Sequence, residues 1–132
     1  LSKSAKENIM GSAINLMTFG YKFGPPAANF VFDVSFLSNP ARHGADTHLD
    51  SDFSEWTVDF CAGQPGAAEI VETIVSVGTF VTTLRVDYMI AIGCNGGRHR
   101  SVAVSRLVRA ELEKIGHGVN VTHRERARDG LH

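Results

Sequence analysis

From Ala13 through Phe19 apolar and polar residues alternate well enough for a first strand. Gly20 to Pro26 then reads as a loop, because its glycines and tandem prolines interrupt both helix and strand. Phe30-Val31-Phe32-Asp33-Val34 has the composition of a second strand, with Asp33 near its C-terminal end. The polar stretch from Ser38 to Leu49 is expected to be a loop able to fold over a site as a lid. Ser51 or Asp50 can cap a helix running to Ala62, with Phe53, Trp56 and Phe60 on one face and Trp56 in the core. Gly63-Gln64-Pro65 stops that helix and starts another. Ala67, Ile70, Val71, Ile74, Val77, Val81 and Leu84 keep helical spacing to about Arg85. Its β-branched residues weaken intrinsic propensity, so packing must stabilise it, and an extended C-terminal part is the alternative. A buried strand is expected over Val86–Ile92, a helix over Ser101–Ile115 ending at Gly116, and a last strand over Gly118–Thr122. Strands alternating with helices imply a single α/β domain, residues 12–132, whose largely parallel sheet is flanked by helices. Residues 1–11 are expected to form a flexible tail.

The chemistry concentrates between the third strand and the following helix, in Ile92-Gly93-Cys94-Asn95-Gly96-Gly97-Arg98-His99-Arg100-Ser101. Gly93, Gly96 and Gly97 allow positive φ, so that successive N–H groups can line one concavity. The helix start adds unpaired N–H groups and the positive end of its dipole. Arg98 and Arg100 carry planar forks that match phosphate, and Ser101 can cap the helix or donate to a ligand. Two cations beside a positive dipole end repel unless an anion sits among them, which favours an anion cradle over a plain glycine-rich connection. Asp33 fits either a polar site residue at the carboxyl end of a strand or a carboxylate capping its own loop. His43 and His48, with Asp46 and Asp50, lack a second cluster to complete a metal-ligand set, and exposed histidines are the better reading.

An apolar fraction of 43% and a charged fraction of 20% are ordinary for a globular protein. No apolar run approaches the ~20 residues that span a bilayer, and Leu1-Ser2-Lys3-Ser4-Ala5-Lys6-Glu7-Asn8 lacks the apolar centre of a signal peptide. Cys61 and Cys94 form no disulfide framework, so a reducing cytoplasm is expected, with Cys61 an inert buried thiol. Residues 1–93 carry net −5 and residues 94–132 net +4. That asymmetry favours a polyanionic partner for the C-terminal third, where His123, Arg124, Arg126 and Arg128 form either an RNA-contacting arm or a solvated end.

Two families resemble the loop. Cys94-Asn95-Gly96-Gly97-Arg98-His99-Arg100-Ser101 is similar to the Cys-x-x-Gly-x-x-Arg-Ser pattern of protein tyrosine phosphatases, which implies Cys94 as nucleophile and Arg100 as phosphate clamp. Gly93 stands where those enzymes usually have histidine. A resemblance across almost the whole chain is to the C-terminal domain of the RapZ/YvcJ family of RNase adapter proteins. It rests on Phe19-Gly20-Tyr21-Lys22-Phe23-Gly24, on Phe30-Val31-Phe32-Asp33-Val34 with Phe36-Leu37-Ser38-Asn39-Pro40, on Ala91–Val102 and on His123-Arg124, in family order. It implies a non-catalytic, self-associating domain that binds an amino-sugar phosphate through Cys94–Ser101, without a cofactor, and has RNA and an RNase as partners. His99 and Asp33 are then expected to orient sugar hydroxyls. Ser35 replaces the arginine common after Phe-Asp-Val, and Ala41 the histidine common after Asn-Pro, which leaves Arg42 or His43 as substitutes. The nucleotide-binding domain of full-length members does not carry over, because the chain contains no Gly-x-x-x-x-Gly-Lys-Ser/Thr. A purely structural oligomerisation module is the third reading.

Overall fold

The computed structural model describes residues 13–43 and 55–130. The proposed tail 1–11, the helix start at Asp50–Phe53, and Asp46 and His48 lie outside the described residues. Four strands, β1 (Ile14–Gly20), β2 (Phe30–Asp33), β3 (Met89–Cys94) and β4 (Val119–His123), form one sheet in the order β2-β3-β1-β4. Every pairing is parallel. Between them run α1 (Glu55–Ala62), α2 (Ala67–Leu84) and α3 (Arg100–Lys114), with 3-10 turns at Tyr21–Phe23 and Pro40–His43, and a short α4 (Arg124–Arg128) follows β4.

Strand periodicity selects the core. Ile14 and Leu16 of β1, Ile90 and Ile92 of β3 and Val119 of β4 are buried with Ile74 and Val81 of α2 and Val104, Val108 and Leu112 of α3. The alternate positions Asn15, Met17, Asn120 and Thr122 are partly or fully exposed, and the Asn15 and Asn120 side chains hydrogen-bond at 3.3 Å. Close approach of α2 depends on Gly78, where a Cβ would stand 3.3 Å from Leu112 Cδ1 and 3.5 Å from Ile14 Cδ1. By length and composition α2 passes for a membrane span, with a mean hydropathy of 1.4. Here its Ile74, Gly78 and Val81 are buried in the domain, while Phe80 and Leu84 are exposed.

Some sequence expectations shift. The third strand begins at Met89 rather than Val86, because Arg85 ends α2 in the left-handed region (φ 55°) and the chain turns before pairing Met89 with Asn15. Trp56 is not in the core: it is 46% exposed and stacks on Phe60 at 5.2 Å. The buried residues of α1 are instead Thr57 and Cys61, small side chains that permit close packing against α3. Cys61 is fully buried, and burial pushes its thiol up to about 11, so it stays protonated at neutral pH. Residues 124–128, read from sequence as an arm or a solvated end, form the short helix α4, which packs against β1.

Candidate functional site

β1 sits between β3 and β4, and its connection crosses β3 to reach β2, while the connection leaving β3 crosses β1 to reach β4. Adjacent strands whose connections leave in opposite directions open a crevice at their carboxyl ends. A cavity of about 280 Å³ lies there. Its floor is the loop from Cys94 to Arg100, and its walls are Lys22 after β1 and Asn39 and Ala41 after β2. The first intrahelical bond of α3 runs from Ala103 N–H to His99 C=O at 2.8 Å. The preceding N–H groups, from Arg100 to Val102, therefore mark the positive end of the helix beside the cavity. His99, not Ser101, is the N-cap residue.

Each glycine of the loop has a different task. Only Gly97 adopts positive φ (+74°). A Cβ on Gly93 would overlap the Phe19 ring, so that residue is required for space in the sheet. A Cβ on Gly96 meets nothing within 4 Å. From the β1 side, Gly20 makes the matching close approach: a Cβ there would lie 2.6 Å from the Gly96 carbonyl. Lys22 N–H donates to Asn95 C=O at 3.2 Å, tying the loops together.

The cations already have partners. Arg100 is only 9% exposed, and its Nη1 donates to the Ser35 and Leu37 carbonyls at 2.8 and 3.0 Å. It pins the loop after β2 to the cradle. Arg98 donates from Nε and Nη2 to the two oxygens of Asp129 at 2.6 and 3.0 Å. The anion that the two arginines demand is thus partly supplied from within the chain. Cys94 is 2% exposed; its thiol donates to Ser101 Oγ at 3.4 Å, and its sulfur accepts the Gly97 N–H at 3.3 Å. Asp33 accepts the Ser35 N–H at 2.8 Å, which caps its own loop. His43 rests on Phe60 at 5.1 Å. Asp33 and His43 are both absent from the residues that line the cavity.

Behind the loop, Glu125 is wholly buried. Burial alone would raise its pKa, but the Gly20 N–H at 2.8 Å and the Arg124 and Arg128 guanidiniums hold it below the usual carboxylate range. Arg124 also donates to Gly24 C=O at 2.6 Å. Arg126 is 5% exposed, whereas Arg128 is 52% exposed and lies over the Phe23 ring at 4.8 Å. Lys22 and Arg98 flank the same ring at 5.2 and 5.4 Å.

The chain matches the RapZ C-terminal domain over residues 12–127. It belongs to that family. A nucleotide-binding protein of Psychrobacter arcticus is 35% identical, covering 87% of this chain and 38% of the relative. One from Desulfovibrio desulfuricans is 33% identical over 91% of this chain and 40% of its own length. A third, from Thermotoga petrophila, is 33% identical over 87% and 43%. The chain therefore spans about two fifths of the curated relatives it matches.

Within this RapZ-family domain, residues Cys94 to Arg100 line the cavity and Ser101 is buried. Lys22, Asn39 and Ala41 were missed as wall residues, although all three lie within or beside the family motifs. Glu125 and Asp129, which stand among the C-terminal arginines along the chain, supply carboxylates to Gly20 and Arg98 beside the loop.

His123 closes β4 and is half-buried beside β1. Its Nδ1 is 2.9 Å from Thr18 Oγ1. Burial, then Arg126, Arg106 and Arg109, lower its pKa to about 4. A neutral histidine in the fold with an unfolded pKa near 6.5 stabilises fully above that pH. The contribution is lost as pH falls from 6.5 toward 4. Stability is expected to drop by about 1 kcal/mol between pH 7 and 5 on this account, since water at the half-exposed ring screens part of the effect. Urea midpoints at the two pH values test this, and His123→Gln should flatten the slope. Glu125 and Asp129, with depressed pKa values, lose their contributions only at lower pH.

Proposed function

We propose that this domain holds a small phosphorylated ligand, an amino-sugar phosphate, in the cavity above Cys94–Arg100, without transforming it. The observation that carries the reading is the convergence of Lys22, Arg98 and the start of α3 on one crevice between β1 and β3. Phosphate is the anion that such a set of backbone and cationic donors suits. A cavity of about 280 Å³ is of the size for a monosaccharide phosphate rather than a larger cofactor. Binding rather than turnover follows what the family resemblance implies; Cys94 itself lines the cavity, with its thiol hydrogen-bonded to Ser101. RNA contact belongs to the reading in a narrower form. Arg128, Lys22 and the exposed Phe23 ring make a basic and aromatic surface suited to a single strand. Self-association, an RNase partner and a cytoplasmic setting are parts of the proposal carried by family membership, the last also suiting the two free thiols. Nucleotide binding is named for relatives more than twice as long, and it is not carried over.

Phosphorus NMR of glucosamine-6-phosphate with the domain tests the reading. The signal is expected to shift or broaden with no growth of inorganic phosphate, and Cys94→Ser should behave as wild type. Release of phosphate that disappears in Cys94→Ser would replace the reading with a cysteine-dependent phosphatase. An unchanged spectrum would leave the loop a structural element.

A further inference from the structure

Of the two arginines in the loop Arg98 is the more adaptable, because Arg100 is fastened to two backbone carbonyls. Its fork is nonetheless closed on Asp129, the residue immediately after α4. The pair is partly exposed, at 27% for Arg98 and 16% for Asp129, so it can open without uncovering the core. A third donor, Nη1, reaches only the Gly96 carbonyl at 3.4 Å. Any ligand that is to receive the Arg98 fork must therefore exchange with a carboxylate tethered beside it.

We infer that Asp129 is an internal competitor for Arg98 that makes the cradle selective for phosphate over carboxylate ligands. This rests on the reading of the cradle as a phosphate site. A carboxylate ligand offers Arg98 the same two oxygens and single charge that Asp129 offers, and the tethered group wins by effective concentration. A phosphate monoester carries nearly two charges and three oxygens at neutral pH. It can hold the fork while its remaining oxygens face Lys22 and the N–H groups at the start of α3. Exchange also releases Asp129 from the cradle loop at the carboxyl end of α4, the element that carries Arg128.

The test is calorimetric titration of inorganic phosphate and of acetate into wild type, Asp129→Asn and Arg98→Ala at neutral pH. Asp129→Asn is expected to bind phosphate about fivefold more tightly than wild type. It should also bind acetate measurably, where wild type does not. Weaker phosphate binding in Asp129→Asn would overturn the inference, since Asp129 would then be holding Arg98 in its binding position. Unchanged phosphate binding in both variants would show that Arg98 does not reach the ligand, leaving the phosphate reading intact. Phosphate binding absent from wild type and Asp129→Asn alike would remove both. A second readout needs no variant. The Arg98 Nε–H signal of wild type should move when phosphate is added, and a stationary signal in the presence of bound phosphate would overturn the inference.

Discussion

Glu125→Ala is expected to cost about 3–5 kcal/mol of stability, the largest effect of any single substitution around the cradle. Glu125 is a carboxylate at 0% exposure, accepting from the Gly20 backbone and from Arg124 and Arg128. Removing it leaves the Gly20 N–H without its acceptor and Arg124 as a partly buried charge with one carbonyl partner, at Gly24. Gly20 makes the close approach to Gly96, so the loss is expected to loosen the floor of the cavity as well. Glu125→Gln should cost less, because its amide oxygen can still accept from Gly20. Urea denaturation followed by circular dichroism measures both. A cost below about 1 kcal/mol for the alanine variant would mean that water replaces the carboxylate, against its complete burial.

Gly97→Ala is the second large effect. The residue has φ +74°, a region that L side chains rarely adopt, and its added Cβ would stand 2.5 Å from Gly20 N and 2.6 Å from Phe19 C. Those are backbone atoms of the central strand and cannot rotate away. A loss of at least about 2 kcal/mol is expected, combining left-handed strain with overpacking. Because the strand and the cradle loop must separate to admit the methyl group, phosphate binding should fall at least about tenfold. Gly96→Ala supplies the control. It has open space within 4 Å and no positive φ, so its stability should stay within about 0.5 kcal/mol of wild type. Equal effects at the two positions would show that the loop does not depend on the approach of Gly97 to β1.

Much of the architecture is written locally. The alternation in β1, the apolar run of β3 and the helical spacing along α2 and α3 each follow from the period at which a strand or helix returns to its buried face. The glycine-rich passage from β3 into α3 is legible too, since glycines break both periodicities between a strand and a helix. Trp56 shows where such reading fails. Helical spacing names a face but not which face meets α3, and the small Thr57 and Cys61 fit where Trp56 does not.

The partners of the charges were decided only in three dimensions. Arg98 meets Asp129 across 31 positions and Arg100 meets Ser35 across 65. Glu125 meets Gly20 across 105. Along the chain Glu125 and Asp129 look like dilution of a basic tail. The parallel pairing of β4 with β1 instead delivers α4 to the carboxyl end of the sheet, beside the cradle. The sequence by itself determined the elements, the class of fold and the glycine-rich loop that lines the cavity, because these depend on local periodicity and backbone freedom. The tertiary structure decided that Arg98 meets Asp129 and Arg100 meets backbone carbonyls, because such partners are set by distance in space, which strand order brings about.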